Sequence, residues 1–178
     1  MGRFLNPGNE AFSEVIHSEI YVDKTPLLEY TNKVISTTSK FICSSRPRRF
    51  GKSITAEMLT AYYSKGCDSR ALFADYAICK ASSFEKHLNQ YDVIHFDVQW
   101  CMMDAGNADQ VVEYINNGIL QELKEKYGEL IPDTVKTAYG AMSYIKAAIG
   151  NKFIVIIDEW DVLIRDEAQN HKVQEEYI

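Results

Sequence analysis

Phe153-Ile154-Val155-Ile156-Ile157 is an unbroken apolar run that passes directly into Asp158-Glu159. Its β-branched content favours a strand. A strand apolar on both faces has no side to offer water, so it belongs inside a parallel sheet covered by helices on each side. The rest of the chain supplies the alternation such a sheet requires. Phe41-Ile42-Cys43, ending at Ser44-Ser45, predicts a buried strand. From Lys52 to about Lys65, residues Ile54, Met58, Ala61 and Tyr62 recur at helical spacing, and Gly66 supplies a stop. Tyr91–Trp100 alternates through Val93, Ile94, Phe96 and Val98 and predicts a second strand. Two helices are then expected, one from about Asn107 to Tyr127 with the stripe Val112, Ile115, Ile119 and Leu123. The other runs from about Asp133 to Ile149, closed by Gly150. Near the start, Asn6-Pro7-Gly8-Asn9 signals a turn and Thr25-Pro26 a helix start. Strand, helix, strand, helices, strand is the rhythm of an α/β fold with a parallel sheet.

The bulk numbers exclude several classes. With 178 residues the chain is one compact domain or part of a larger one, and 46% hydrophobic residues are enough for a core. A net charge of −6 argues against a protein that coats nucleic acid, which needs a basic surface. The four cysteines, Cys43, Cys67, Cys79 and Cys101, form no C-x-x-C pair, so reduced thiols are expected rather than a zinc site or a disulfide framework. The absence of a long apolar run and of a signal-peptide layout makes the cytoplasm the expected location, with no membrane partner.

Arg46-Pro47-Arg48-Arg49-Phe50-Gly51-Lys52-Ser53 matches the last three positions of the phosphate-loop pattern G-x-x-x-x-G-K-[ST]; Arg46 stands where the first glycine would be. The three matching residues carry the chemistry. A side chain at position 51 would obstruct a phosphate approaching the backbone. Lys52 brings a mobile cation to the outer phosphates, and Ser53 offers its hydroxyl to magnesium. The helix expected to start here directs free N–H groups and a positive dipole end at the anion. Gly-Lys-Ser also arises by chance, and Arg46, Arg48, Arg49 and Lys52 would serve equally as a solvated basic face. The position between an expected buried strand and an amphipathic helix favours a polyphosphate.

Asp158-Glu159 ends the apolar run at the edge where parallel sheets bind ligands. Asp158 is the candidate magnesium ligand and Glu159 the candidate base for an attacking water. The bland alternative is that the two acids merely end a strand. Asp161 reads as a cap of the next helix.

Three strings, Tyr21-Val22-Asp23-Lys24-Thr25, Arg46 through Ser53 and Ile157-Asp158-Glu159-Trp160-Asp161, resemble the hallmarks of the bacterial and archaeal AAA-ATPase-like proteins. Those proteins are often joined to a C-terminal PD-(D/E)XK nuclease-like domain. The resemblance spreads from about Phe12 to Asp161; the missing first glycine is normal there, and Trp160 replaces the usual tyrosine. It implies a three-layer P-loop NTPase fold of RecA/AAA type, a parallel sheet flanked by helices. Residues 1–36 would form a family-specific segment and 37–178 a partial ATPase core. The implied ligands are ATP and Mg2+, with Lys52 and Glu159 catalytic, Arg46, Pro47, Arg48, Arg49, Phe50, Gly51, Lys52 and Ser53 holding nucleotide, and Ser53 and Asp158 on the metal. ATP is preferred over GTP because Asn151-Lys152-Phe153-Ile154 and Asn32-Lys33-Val34-Ile35 both lack the final aspartate of a guanine-reading string.

The same resemblance places a sensor strand, a further strand and a lid after the acidic strand, whereas this chain ends seventeen residues beyond Asp161. A truncated core is therefore expected, with a gap or altered pairing in the sheet and feeble hydrolysis. The implied partner is a nuclease-like domain of a parent protein; self-association stays open, and no residue here points to nucleic acid. A non-hydrolysing regulatory or interaction module is the rival reading, and a small-molecule kinase a weaker third. His17, His87, His95 and His171 are scattered and read as ordinary surface or partly buried residues. Tyr62, Tyr63 and Trp100 are expected to pack.

Overall fold

The structure, a computed structural model, describes residues 2–45 and 50–166. Its described residues form an α/β structure in two compact units, one within residues 6–93 and the other residues 2–5 with 94–166.

The first unit carries α1 (Glu10–Ile16), α2 (Pro26–Val34), α3 (Lys52–Tyr63) and two single turns, α4 (Arg70–Phe73) and α5 (Phe84–His87). Pro26 opens α2 as expected, where its missing N–H costs nothing. Thr25 occupies the N-cap position without a side-chain cap bond; its hydroxyl accepts the Ile78 N–H at 3.2 Å instead. The core forms where α3 lays Met58, Ala61, Tyr62 and Tyr63 against Phe12, Leu28, Phe73 and Ile78, all buried. Phe12 stacks on Phe73, and Tyr62 meets Phe73 edge-on. Tyr62 and Tyr63 pack as expected and also bond: Tyr63 Oη donates to Asn32 Oδ1 at 2.8 Å, and Asn32 Nδ2 donates to Tyr62 Oη at 3.0 Å. Burial, opposed by the Asn32 hydrogen bond, pushes the Tyr62 hydroxyl up to about 12. The helix stops at Tyr63, ahead of Gly66, because Ser64 turns extended and bridges Tyr91.

The second unit is built on β1 (Asp92–Asp97), whose first two residues belong to the first unit, and on β2 (Phe153–Asp158). These pair in parallel as a two-stranded sheet. The crossover between them passes through α6 (Val98–Ala105), α7 (Val111–Tyr127) and α8 (Ala138–Ile149), and α9 (Val162–Asp166) follows β2. Ile94, Val98, Val111, Ile119, Leu123, Ala141, Ile145, Val162 and Leu163 form one apolar cluster with Phe4 and Leu5. Residues 2–5 enter as an added edge: Leu5 bridges Ile94 antiparallel, and the His95 N–H donates to the Phe4 carbonyl at 2.9 Å.

Five expectations are corrected. Phe41-Ile42-Cys43 is not a buried strand; no described strand supplies it with a ladder, and Phe41 is 85% exposed. An apolar triplet without a partner for its N–H and C=O groups remains a loop. The second strand ends at Asp97 rather than Trp100, because the Asp97 carboxylate accepts the Trp100 N–H at 2.9 Å and starts α6. Trp100 is consequently exposed rather than packed. The run 153–157 is not covered on both faces: Ile156 is buried, but Val155 and Ile157 are about half exposed. Side chains alternate between the faces of β2, so the half-exposed Val155 and Ile157 share one row and the buried Ile156 lies in the other. Finally, α8 starts at Ala138, where Thr137 accepts the Gly140 N–H and caps it; Gly150 closes it with a positive φ.

Candidate functional site

In the first unit, α3 starts where Gly51 turns the chain into the left-handed region, φ 73°. The Gly51 carbonyl accepts the Thr55 N–H at 3.1 Å and the Thr55 hydroxyl at 2.9 Å, so the helix closes immediately behind it. Gly51, the N-cap residue, offers no side chain to cap this N-terminus, and no acidic residue lies in its first turn. The leading N–H groups of a helix have no partners inside it, and its positive dipole end favours an anion. Lys52 and Ser53 are the first two helical residues, Lys52 half-buried and Ser53 exposed. Phe50 precedes them and is 60% exposed. Arg46, Pro47, Arg48 and Arg49 lie outside the described residues.

Sequence reasoning gave no role to Lys24. Its ammonium donates to the Phe50 carbonyl at 2.9 Å and to the Gly51 carbonyl at 3.2 Å. The only available signal was its place in the Tyr21–Thr25 string, twenty-six residues before Phe50.

In the second unit, Asp158 is the last residue of β2 and is buried, with Oδ1 accepting the Glu159 N–H at 2.9 Å. Glu159 follows in left-handed backbone, φ 49°, and its carbonyl accepts the Val162 N–H as the chain turns into α9. A non-glycine residue held there is strained, by about 1–2 kcal/mol for a side chain without a local hydrogen bond of its own. Arg165 Nη1 lies 3.6 Å from Glu159 Oε2 and 3.4 Å from Asp161 Oδ2, so the expected cap Asp161 also faces this guanidinium.

Asp97 ends β1 as Asp158 ends β2, and in a parallel pair both termini fall on the same edge. Burial raises the Asp97 carboxyl above its ordinary value; the Trp100 N–H opposes this, and the nearby Asp158 and Glu159 charges add to it. Sequence reasoning missed Asp97 because the expected strand ran past it. Burial likewise lowers the His95 imidazole, with Asp158 opposing. A carboxylate raised by neighbouring acidic charges, as Asp97 is, favours a cation beside it. Among the described residues no group of three or more His, Cys, Asp or Glu could hold a metal ion alone. Magnesium with a nucleotide does not require such a cage: one or two carboxylates suffice when phosphates and waters complete the shell.

No described helix is long and apolar enough to cross a membrane. Comparison with curated proteins and with solved structures gave no match. The family model described as Predicted AAA-ATPase matches residues 7–178. A match over nearly the whole length places the chain in the AAA-ATPase-like family.

Proposed function

We propose that this chain binds ATP with magnesium through a P-loop module of RecA/AAA type and by itself hydrolyses it only feebly. Residues 1–36 would be a family-specific segment and 37–178 a partial ATPase core, acting in the cytoplasm to regulate a nuclease-like partner domain. The observation that carries the reading is the left-handed Gly51 opening a helix whose first two residues are Lys52 and Ser53. Backbone N–H groups around Gly51 hold the phosphate chain, the Lys52 ammonium neutralises its outer oxygens, and Arg46 to Phe50 complete the loop. Ser53 and Asp158 would hold magnesium, which when bound would neutralise charge on the phosphates. Glu159 orients a water and accepts its proton as the oxygen attacks the γ-phosphorus; the bond to the β–γ bridging oxygen breaks and ADP leaves. A second reading, a nucleotide-dependent module that does not turn over, is favoured by Arg165, which engages the Glu159 carboxylate.

ATP titration with magnesium, followed by phosphate release, tests both readings. Lys52→Ala should abolish ATP binding, and Glu159→Gln should keep binding while losing turnover. Unchanged affinity in Lys52→Ala overturns the assignment; binding without turnover in the unmodified chain selects the second reading.

A further inference from the structure

We propose that Lys24 is a positioning residue for the phosphate loop, acting on the loop's carbonyls so that its amides face the anion; this rests on reading Phe50–Ser53 as phosphate-binding. The Lys24 ammonium donates to the carbonyls of Phe50 and Gly51 at 2.9 and 3.2 Å. A peptide unit is planar and trans, so its C=O and the following N–H point in opposite directions. Drawing the Phe50 carbonyl toward Lys24 turns the Gly51 N–H away from it. Drawing the Gly51 carbonyl does the same for the Lys52 N–H. One cation on the carbonyl side thus holds two donors on the other side, the second jointly with the Thr55 N–H and hydroxyl that share the Gly51 carbonyl, the arrangement by which successive backbone N–H groups hold a phosphate.

Three neighbours hold Lys24 in place. Asp23 accepts the Thr25 N–H at 2.8 Å and the Ala77 N–H at 3.1 Å. Thr25 is buried and accepts the Ile78 N–H on its hydroxyl at 3.2 Å. The Tyr21 ring meets Phe12 and Tyr76 edge-on. The residues flanking Lys24 therefore dock the string onto the turn at 77–80 and leave the lysine directed at the loop. Gly51 gains a second requirement from this arrangement. Besides its positive φ, a Cβ there would overlap the Lys24 Nζ, so the flexible end of the lysine would have to shift.

The test compares Lys24→Met and Lys24→Arg with the unmodified chain, using magnesium-ATP and inorganic triphosphate as ligands. Lys24→Met should weaken both ligands about tenfold or more, the scale of a charge-assisted hydrogen bond, with the melting temperature little changed. Lys24→Arg should restore part of the affinity. In the nucleotide-free protein, the Gly51 and Lys52 amide resonances should move in Lys24→Met and return toward their original positions in Lys24→Arg. If Lys24→Met unfolds the chain, Lys24→Gln, which keeps a donor without the charge, takes its place in both measurements. Unmoved amide resonances overturn the clamp whatever ATP does. If the unmodified chain binds neither ligand, the phosphate-binding reading fails, even where the resonances move. Moved resonances with unchanged affinity overturn the positioning role alone.

Discussion

Arg165 Nη1 lies 3.6 Å from Glu159 Oε2, and the residue it meets is held at a backbone φ of 49°. The residue assigned to activate water therefore carries backbone strain and has a cationic neighbour. Asparagine tolerates left-handed backbone far better than glutamine does. Both substitutions at 159 remove the carboxylate, so comparing them isolates the backbone contribution. Glu159→Asn should be more stable than Glu159→Gln by about 1 kcal/mol in denaturant titrations, with turnover lost in both. Equal stabilities would show that the positive φ carries no cost.

Asp97 gives the pH-dependent prediction. Its folded carboxyl is raised by burial and by Asp158 and Glu159. A carboxyl raised on folding supports the fold below its unfolded pKa, and that support is lost as pH rises through the folded value. At roughly pH 7 the ionised Asp97 is therefore a liability. An asparagine at this position would keep the cap on the Trp100 N–H, since asparagine caps as well as aspartate. Asp97→Asn should accordingly raise the melting temperature near neutrality, and the gain should shrink as the buffer is acidified through Asp97's raised value. A gain that persists unchanged in acid would assign the effect to packing instead.

The parts legible in the sequence were those governed by local chemistry. The α3 stripe, Pro26, Gly150 and the acidic end of β2 all followed from spacing and side-chain type, and so did Gly51-Lys52-Ser53 at a helix start. What could not be read depended on partners distant in sequence. Phe41–Cys43 has strand composition, but a strand exists only with a ladder. Val155 and Ile157 looked buried because composition reports apolarity, whereas coverage depends on what packs over the sheet. Lys24 was invisible as a loop ligand because its acceptors are carbonyls, which have no sequence signature. Residues 2–5 gave no strand signal either, since their place beside β1 is set by Glu122 on a distant helix.

Asp92 is fully buried and paired with Lys65 at 2.5 Å, and Asn6 Nδ2 donates to it at 2.6 Å. A buried carboxylate that loses its cation is strongly destabilising, typically by about 3–5 kcal/mol. Lys65 is 33% exposed at its side chain, so water softens the loss. Lys65→Met should cost about 2–3 kcal/mol in denaturant titrations. The double substitution Lys65→Met with Asp92→Asn should recover part of that, because no uncompensated charge then remains. A double variant as unstable as the sum of the singles would refute the pairing.

Glu122 anchors the edge that completes β1. Its carboxylate accepts the Arg3 N–H at 2.8 Å, the Phe4 N–H at 3.0 Å and the Leu5 N–H at 2.6 Å. Through these bonds Phe4 and Leu5 enter the apolar cluster, where Phe4 meets Phe96 and Tyr114 edge-on. Hydrogen bonds to a charged group contribute about 1.5–3 kcal/mol each, but three on one carboxylate share a single side chain and do not add in full. Glu122→Ala should therefore cost about 3 kcal/mol and release residues 2–5. Glu122→Gln, which keeps one acceptor oxygen, should cost less. The local readout is the His95 amide, which donates to the Phe4 carbonyl at 2.9 Å and should lose hydrogen-exchange protection in Glu122→Ala. Deleting residues 1–5 should do the same, and combining the deletion with Glu122→Ala should add little, because both remove one interaction. Since β1 ends at Asp97, fraying at its start would reach the acidic edge only through the strand itself. Full His95 protection in Glu122→Ala would mean that the apolar contacts of Phe4 and Leu5 hold the edge without the carboxylate.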